Sequence, residues 1–239
     1  MFINKQLLKV CAAASLFAVA GTADAVVVAN LTSEAVNLGG DEFHDGPSII
    51  AETGDLLETV GSIAAEGGSG DGVRNNTSTM FDGKINTSIA NGAQTTANAG
   101  GYWGNGHFVE FDLDTSVNTL GYDISLIQVI QKGDSFRGGI NVAISVRTVG
   151  GSYTSLINPA DAGTANNVNM YSITNDSDPL VASGIDGIRF DFSNTATGSI
   201  SGWTVYRELD VVGTATVPEP SSLALLGFGG LLIARRRCS

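Results

Sequence analysis

The chain has 239 residues, with 24 acidic against 12 basic side chains, a net charge of −12, 31 Gly, two Cys and two His. A carboxylate surplus this large argues against sequence-independent binding to nucleic acid, which needs Lys and Arg on the phosphates, and against docking on anionic lipid. Two cysteines build neither a disulfide scaffold nor a Cys-rich zinc site, and 43% hydrophobic with 15% charged residues excludes a disordered acidic chain.

The first element is an address. Lys5 and Lys9 precede an apolar run of 11 residues, Val10 to Ala20, and Ala23-Asp24-Ala25 supplies the small-x-small pattern of a cleavage site. The run is too short for a membrane span, which needs about 20 residues. These features predict a secretory signal peptide over 1–25, cut after Ala23-Asp24-Ala25, with Val26 as the mature start. Cys11 precedes the apolar run instead of following it and is no lipoprotein cysteine.

Residues 26–217 are expected to form one exported domain. Of the 12 basic and 24 acidic side chains, 5 and 2 lie in the terminal segments, so the domain is more acidic than the whole chain. It contains no cysteine, so its stability outside the cell must come from its core and, by expectation, from bound cations. Its periodicity is that of strands. Val109, Phe111 and Leu113 alternate with Glu110 and Asp112; Val142, Ile144 and Val146 alternate with Ser145 and Arg147; Ile188, Phe190 and Phe192 alternate with Arg189 and Asp191. Near the end, Trp203, Val205, Leu209 and Val211 alternate with Thr204, Glu208 and Asp210. Gly, Asn, Asp and Ser clusters bound each run. Alternation with one polar face predicts antiparallel sheets packed on one side, an all-β sandwich or jelly roll with no long amphipathic helix. The stretch Gly67 to Gly106 carries little strand signal and is expected to be long loops. No repeat of fixed period is present.

The last stretch is Val217-Pro218-Glu219-Pro220, then 14 mostly apolar residues from Ser221 to Ala234, then Arg235, Arg236 and Arg237. A Pro-x-Pro breaks any incoming strand or helix. At ~1.5 Å per residue the apolar segment reaches roughly 21 Å, a short span whose Arg cluster would hold its end in the cytoplasm. Pro218-Glu219-Pro220, the apolar helix and the Arg cluster resemble the PEP-CTERM sorting tail of Gram-negative bacteria; the Cys238-Ser239 ending is a small departure. The resemblance implies an exosortase in the inner membrane that removes the tail near Pro-Glu-Pro. It also implies transient membrane anchoring, then release to the cell surface or extracellular matrix.

Met80-Phe81-Asp82-Gly83-Lys84, Tyr102-Trp103-Gly104-Asn105-Gly106, the run His107 to Leu113, the later strands and Glu208 follow an order that resembles the galactose-binding-like jelly roll of discoidin-type domains, over roughly Ala64 to Gly213. Arg147-Thr148-Val149-Gly150 stands where that family carries a Ser-Asp-Gly turn, and the bridging Cys pair of many animal members is missing. The resemblance implies one structural Ca²⁺, held by Asp82, the Lys84 carbonyl, Thr87 and Glu208; oxygen ligands on a loop suit that ion. Otherwise Asp82-Gly83 is only a tight turn and Glu208 an exposed strand residue.

Tyr102, Trp103, Asn105 and His107 form a candidate ligand surface, because aromatic faces stack on sugar rings and amide or imidazole groups bond hydroxyls. The alternative is a Trp and Tyr that plug the end of the sandwich. Asp134 and Arg137 read as a structural ion pair, with contact to the ligand as the alternative. Catalysis has little support. His44 and His107 have no Ser or Cys motif beside them, and Gly67-Gly68-Ser69-Gly70-Asp71 misses the nucleophile elbow at its last position. The expectation is a non-enzymatic exported protein that binds or structures extracellular polysaccharide. The alternatives are a passive surface protein without sugar affinity and, third, a secreted polysaccharide hydrolase.

Overall fold

The computed structural model describes residues 26–35, 48–67, 80–83, 85, 107–132, 140–161, 167–192 and 205–217. In chain order these form β1 (Val27–Ala35), α1 (Leu56–Thr59), β2 (Gly61–Gly67), β3 (His107–Leu113), β4 (Tyr122–Lys132), β5 (Ile140–Thr148), β6 (Tyr153–Ile157), β7 (Ala160–Asp161), β8 (Asn167–Asn175), β9 (Ala182–Phe192) and β10 (Val205–Ala215). Every strand pairing is antiparallel. The all-β sandwich expected from the alternation is therefore what the chain forms.

One layer runs β10–β4–β8–β1 and the other β2–β3–β9–β5–β6, with β7 added to β5. The layers are joined at one corner, where Tyr122 and Ile124 of β4 pair with Ile185 and Ala182 of β9. Val109, Phe111, Val142, Ile144, Ile188 and Phe190 from one layer meet Ile127, Val129, Ile173, Leu209 and Val211 from the other in a single buried cluster. A chain of aromatic contacts runs through it. Phe81 meets Phe111 edge-on at 5.1 Å, Phe111 meets Phe190 at 6.3 Å, and Phe192 tilts onto Tyr206 at 4.3 Å.

Three features depart from the sequence reading. β1 and β8 carried no clear alternation, yet they pair along their whole length, from Val27 with Asn175 to Ala35 with Asn167. Within the stretch expected to be loop, Met80 is fully buried and Phe81 packs on the core. In β10 a bulge between Tyr206 and Glu208 shifts the alternation, so Tyr206 enters the core with Leu209 and Val211.

The outer faces differ. On β3 and β9, Arg189 pairs with Glu110 and with Asp191 (2.6 Å), and its guanidinium lies 4.0 Å from the Phe108 ring centroid. Arg147 pairs with Asp112 (2.8 Å) and Asp186 (2.7 Å) and lies over Tyr153. On the other layer Ile49 and Ala51 cover Ile130, Val168 and Met170 in a second apolar cluster.

The two ends of the sandwich are unlike. At one, the turn pole, the connections are short: 114–121, 149–152 and 176–181. Gly121 there has φ +80°, and a Cβ would stand 2.7 Å from the Ile185 carbonyl oxygen, so both conformation and space demand glycine. At the other, the loop pole, β3, β5, β8 and β10 begin and β1, β2, β4 and β9 end.

Candidate functional site

The first candidate is the expected cation site. A tight turn at Asp82-Gly83, with Gly83 at φ +69°, lies against β10, and the Gly83 N–H donates to Glu208 Oε1 at 2.9 Å. The structure thus brings the Asp82 turn and Glu208 together from positions 126 residues apart in the sequence numbering, while Lys84 and Thr87 lie outside the described residues. Glu208 is not an exposed strand residue: it is fully buried, as is Asp210. Strand alternation predicts the face that they occupy, away from Leu209 and Val211. Solvent does not reach it, because α1 and the segment before it cover β10.

Two further carboxylates belong to this cluster, and sequence reasoning did not single them out as site residues. Asp210 Oδ2 accepts from the Glu52 N–H at 3.2 Å. Asp55 caps α1, accepting from the Leu57 N–H at 2.5 Å and the Glu58 N–H at 3.3 Å, while Glu58 reaches back to the Gly54 N–H. The local signal was present: Asp55-Leu56-Leu57-Glu58 is a capping-box pattern. Its coupling to Asp210 was not, since that depends on packing.

Glu208 Oε2, Asp210 Oδ1 and Asp55 Oδ2 are buried without a hydrogen-bond partner among the described residues. Burial drives the electrostatics. It pushes the Glu208 carboxyl up to about 10, with the neighbouring Asp210 adding to the rise and the Gly83 N–H opposing it. Burial likewise raises Asp210 and Asp55, opposed at Asp210 by the Glu52 N–H and at Asp55 by the Leu57 and Glu58 N–H groups. A neutral carboxyl or a bound cation each relieves such crowding. Among the described residues, no three His, Cys, Asp or Glu side chains form a ready-made metal cluster, so any ion here would draw on the segment after Gly83 as well.

The second candidate is the loop pole. Tyr102, Trp103 and Asn105, like Asp134 and Arg137, lie outside the described residues. The chain they belong to enters the sandwich at His107. His107 is the first residue of β3 and is 4% exposed, so it stands inside the strand and not on a surface loop. At this pole the core ends in polar groups. Asn169 Nδ2 donates to Gln131 Oε1 at 2.9 Å, and Ser33 Oγ donates to Asn169 Oδ1 at 2.7 Å. The buried Tyr206 hydroxyl donates to the Asn141 carbonyl at 3.0 Å and accepts from its N–H at 3.2 Å. Gln131 and Asn169, both fully buried, were not anticipated as part of this floor.

The third feature is the exit of the chain. Thr216, just past β10, is pinned twice: its N–H donates to the Gly121 carbonyl at 2.9 Å, and its Oγ1 donates to Asp123 Oδ1 at 2.7 Å. Ser183 also donates to that oxygen, and it leads the bonds that hold the Asp123 carboxyl below its usual range. The signal residues Ala23 and Ala25, the motif Pro218, Glu219 and Pro220, and Arg235 to Arg237 lie outside the described residues. No helix among the described residues is long and apolar enough to cross a membrane.

No curated protein matches the chain. Among solved structures, a family 32 CBM from C. perfringens NanJ in complex with galactose is similar at 15% identity, over 66% of this chain and 96% of that one, with a TM-score of 0.42. The C-terminal domain of a chitobiase from Bacteroides fragilis is similar at 18% identity, over 68% of this chain and 99% of that one, with a TM-score of 0.41. The family model that matches is described as a PEP-CTERM protein-sorting motif, and it covers residues 216–237. Directly after β10, therefore, the chain carries a PEP-CTERM sorting motif.

Proposed function

We propose that this is an exported protein of a Gram-negative bacterium, held briefly in the inner membrane by its tail and released by an exosortase to the cell surface or extracellular matrix. There its sandwich binds extracellular polysaccharide without catalysing a reaction on it. The observation that carries the reading is the sorting motif that begins where β10 ends. A complete β-domain followed at once by a removable address is a cargo and its label.

The sugar surface rests on the placement of Tyr102, Trp103 and Asn105 in the stretch that enters β3 at the loop pole. A Tyr/Trp/Asn segment that leads in sequence into a rigid strand suits the recognition of a hydroxyl-rich ring, which wants one apolar face and several bonding partners. We assign the buried His107, the first residue of β3, to anchoring the strand that follows this segment. One structural Ca²⁺ is part of the proposal, on Asp82 and Glu208 with the Lys84 carbonyl and Thr87. The support is chemical: Glu208 Oε2 is buried without a hydrogen-bond partner among the described residues, in a cluster of carboxyl groups with Asp82, Asp210 and Asp55. When bound, a divalent cation would neutralise that cluster and clip the turn to β10.

The test is retention of the purified protein on the host's extracellular polysaccharide, with and without Ca²⁺, beside Trp103→Ala. Binding that saturates and is lost at least tenfold in the Trp103 variant is expected. No retention under any condition would leave a passive surface protein. Release of reducing ends would make the protein a hydrolase.

A further inference from the structure

The two terminal segments leave the sandwich at the same end. β1 begins at Val27 opposite Asn175, and the Val26 carbonyl accepts from the Asp176 N–H, which places the N-terminal exit at the turn pole. β10 ends at Ala215 opposite Tyr122, and Thr216 is bonded to Gly121 and Asp123 at the same pole. The tether to the apolar tail segment is short. From the pinned Thr216 to Ser221 the chain reaches at most roughly 17 Å, even fully extended.

The surface of this pole is unusual for so acidic a protein. Eight large apolar side chains are exposed among the described residues, and five of them, Val26, Val117, Leu120, Val149 and Val217, belong to the turn pole or its two chain exits. Val117 is 85% and Val217 72% exposed. Single exposed apolar residues are ordinary, but five gathered around both exits are not scattered at random over the fold. The pole also bears the exposed Asp114, Asp176 and Asp178, which would be repelled by anionic headgroups and tolerated by zwitterionic ones.

We infer that the turn pole is the membrane-facing surface of the anchored protein, lying against zwitterionic lipid headgroups while the loop pole points away. The inference rests on the proposed membrane stage of the tail. Its consequence is that His107 and the loop-pole ends of the strands are presented outward before the tail is cut, at a distance set by the strands. Nine residues of β5 alone span roughly 30 Å at ~3.3 Å per residue.

The experiment uses the full-length chain in phosphatidylcholine–phosphatidylethanolamine vesicles that carry an energy acceptor on a fraction of the headgroups. A fluorescent donor is placed by Val117→Cys at the turn pole or by Ala160→Cys at the loop pole, each with Cys11→Ser and Cys238→Ser. Ala160 is exposed and pairs with Asn141 near the start of β5. The expected result is co-flotation of both forms and at least threefold greater transfer from position 117 than from 160. Co-flotation with equal transfer, or with more from 160, would overturn the orientation and leave the membrane stage standing. Failure to float would overturn both.

Discussion

Glu208 concentrates the physics of the domain in one side chain. A buried carboxyl raised from 4.5 to about 10 binds a proton more tightly in the folded than in the unfolded chain. The stability it permits is therefore fully present below pH 4.5 and is lost as pH rises towards about 10. Asp210 and Asp55 are raised in the same sense and add to the slope. Metal-free protein is thus expected to melt lower at pH 8 than at pH 6. Glu208→Gln keeps an acceptor for the Gly83 N–H and removes the titration. It should stabilise the metal-free protein at pH 8 by about 2 kcal/mol, or roughly 4–8 °C for a domain of this size. Added Ca²⁺ should raise the melting temperature of the parent at pH 8 and not that of the variant. Melting curves at the two pH values, with and without Ca²⁺, decide it; a parent indifferent to both would refute the assignment.

At the level of elements, β3 and β9 are held on their outer face by Arg189, which pairs with Glu110 and Asp191 and covers Phe108. These hydrogen bonds lift its guanidinium further above its already high range, with Asp191 the larger influence. The pairs remain partly open to solvent, so each is worth about 1 kcal/mol at most, and the contact with the ring adds about 0.5–1 kcal/mol. Arg189→Ala should cost about 1–2 kcal/mol in urea unfolding. A double-mutant cycle with Glu110→Gln should give a coupling below about 1 kcal/mol that shrinks with added salt. A loss well beyond this would mean that the inner face of β9 had repacked.

For the molecule as a whole, the fold closes with β10. Tyr206, Leu209 and Val211 fill the core from this strand, and Thr216 is the last pinned residue among those described. A chain stopped after Val217 should therefore keep its melting temperature within roughly 1–2 °C, since every buried residue described lies before that point. A chain stopped after Asn194 lacks the strand and its buried side chains and should show no cooperative transition. Near-identical melting of the two truncations would mean that the described sandwich does not need its last strand. The sorting motif and the folding unit thus meet within two residues of each other, so the proposed removal of the tail would leave β10 in place.

Much of this was legible in the residues. Period-two alternation at 107–113, 141–148 and 188–192 determines strands because successive side chains on an extended backbone point to opposite faces. The sorting tail was legible because its elements are contiguous in sequence. Alternation could not identify β1 or β8, whose pairing comes from neighbours, nor the bulge that carries Tyr206 inward. Above all it could not tell that the polar side of β10 is buried. Whether Glu208 and Asp210 face water or a covering turn depends on α1 and Asp82, over a hundred residues earlier in the chain. The sequence by itself determined the strand class, the acidic excess and the address. Only the tertiary structure decided which carboxylates share a dry space and which pole both chain exits occupy, because burial and proximity are properties of the packed layers and not of any one segment.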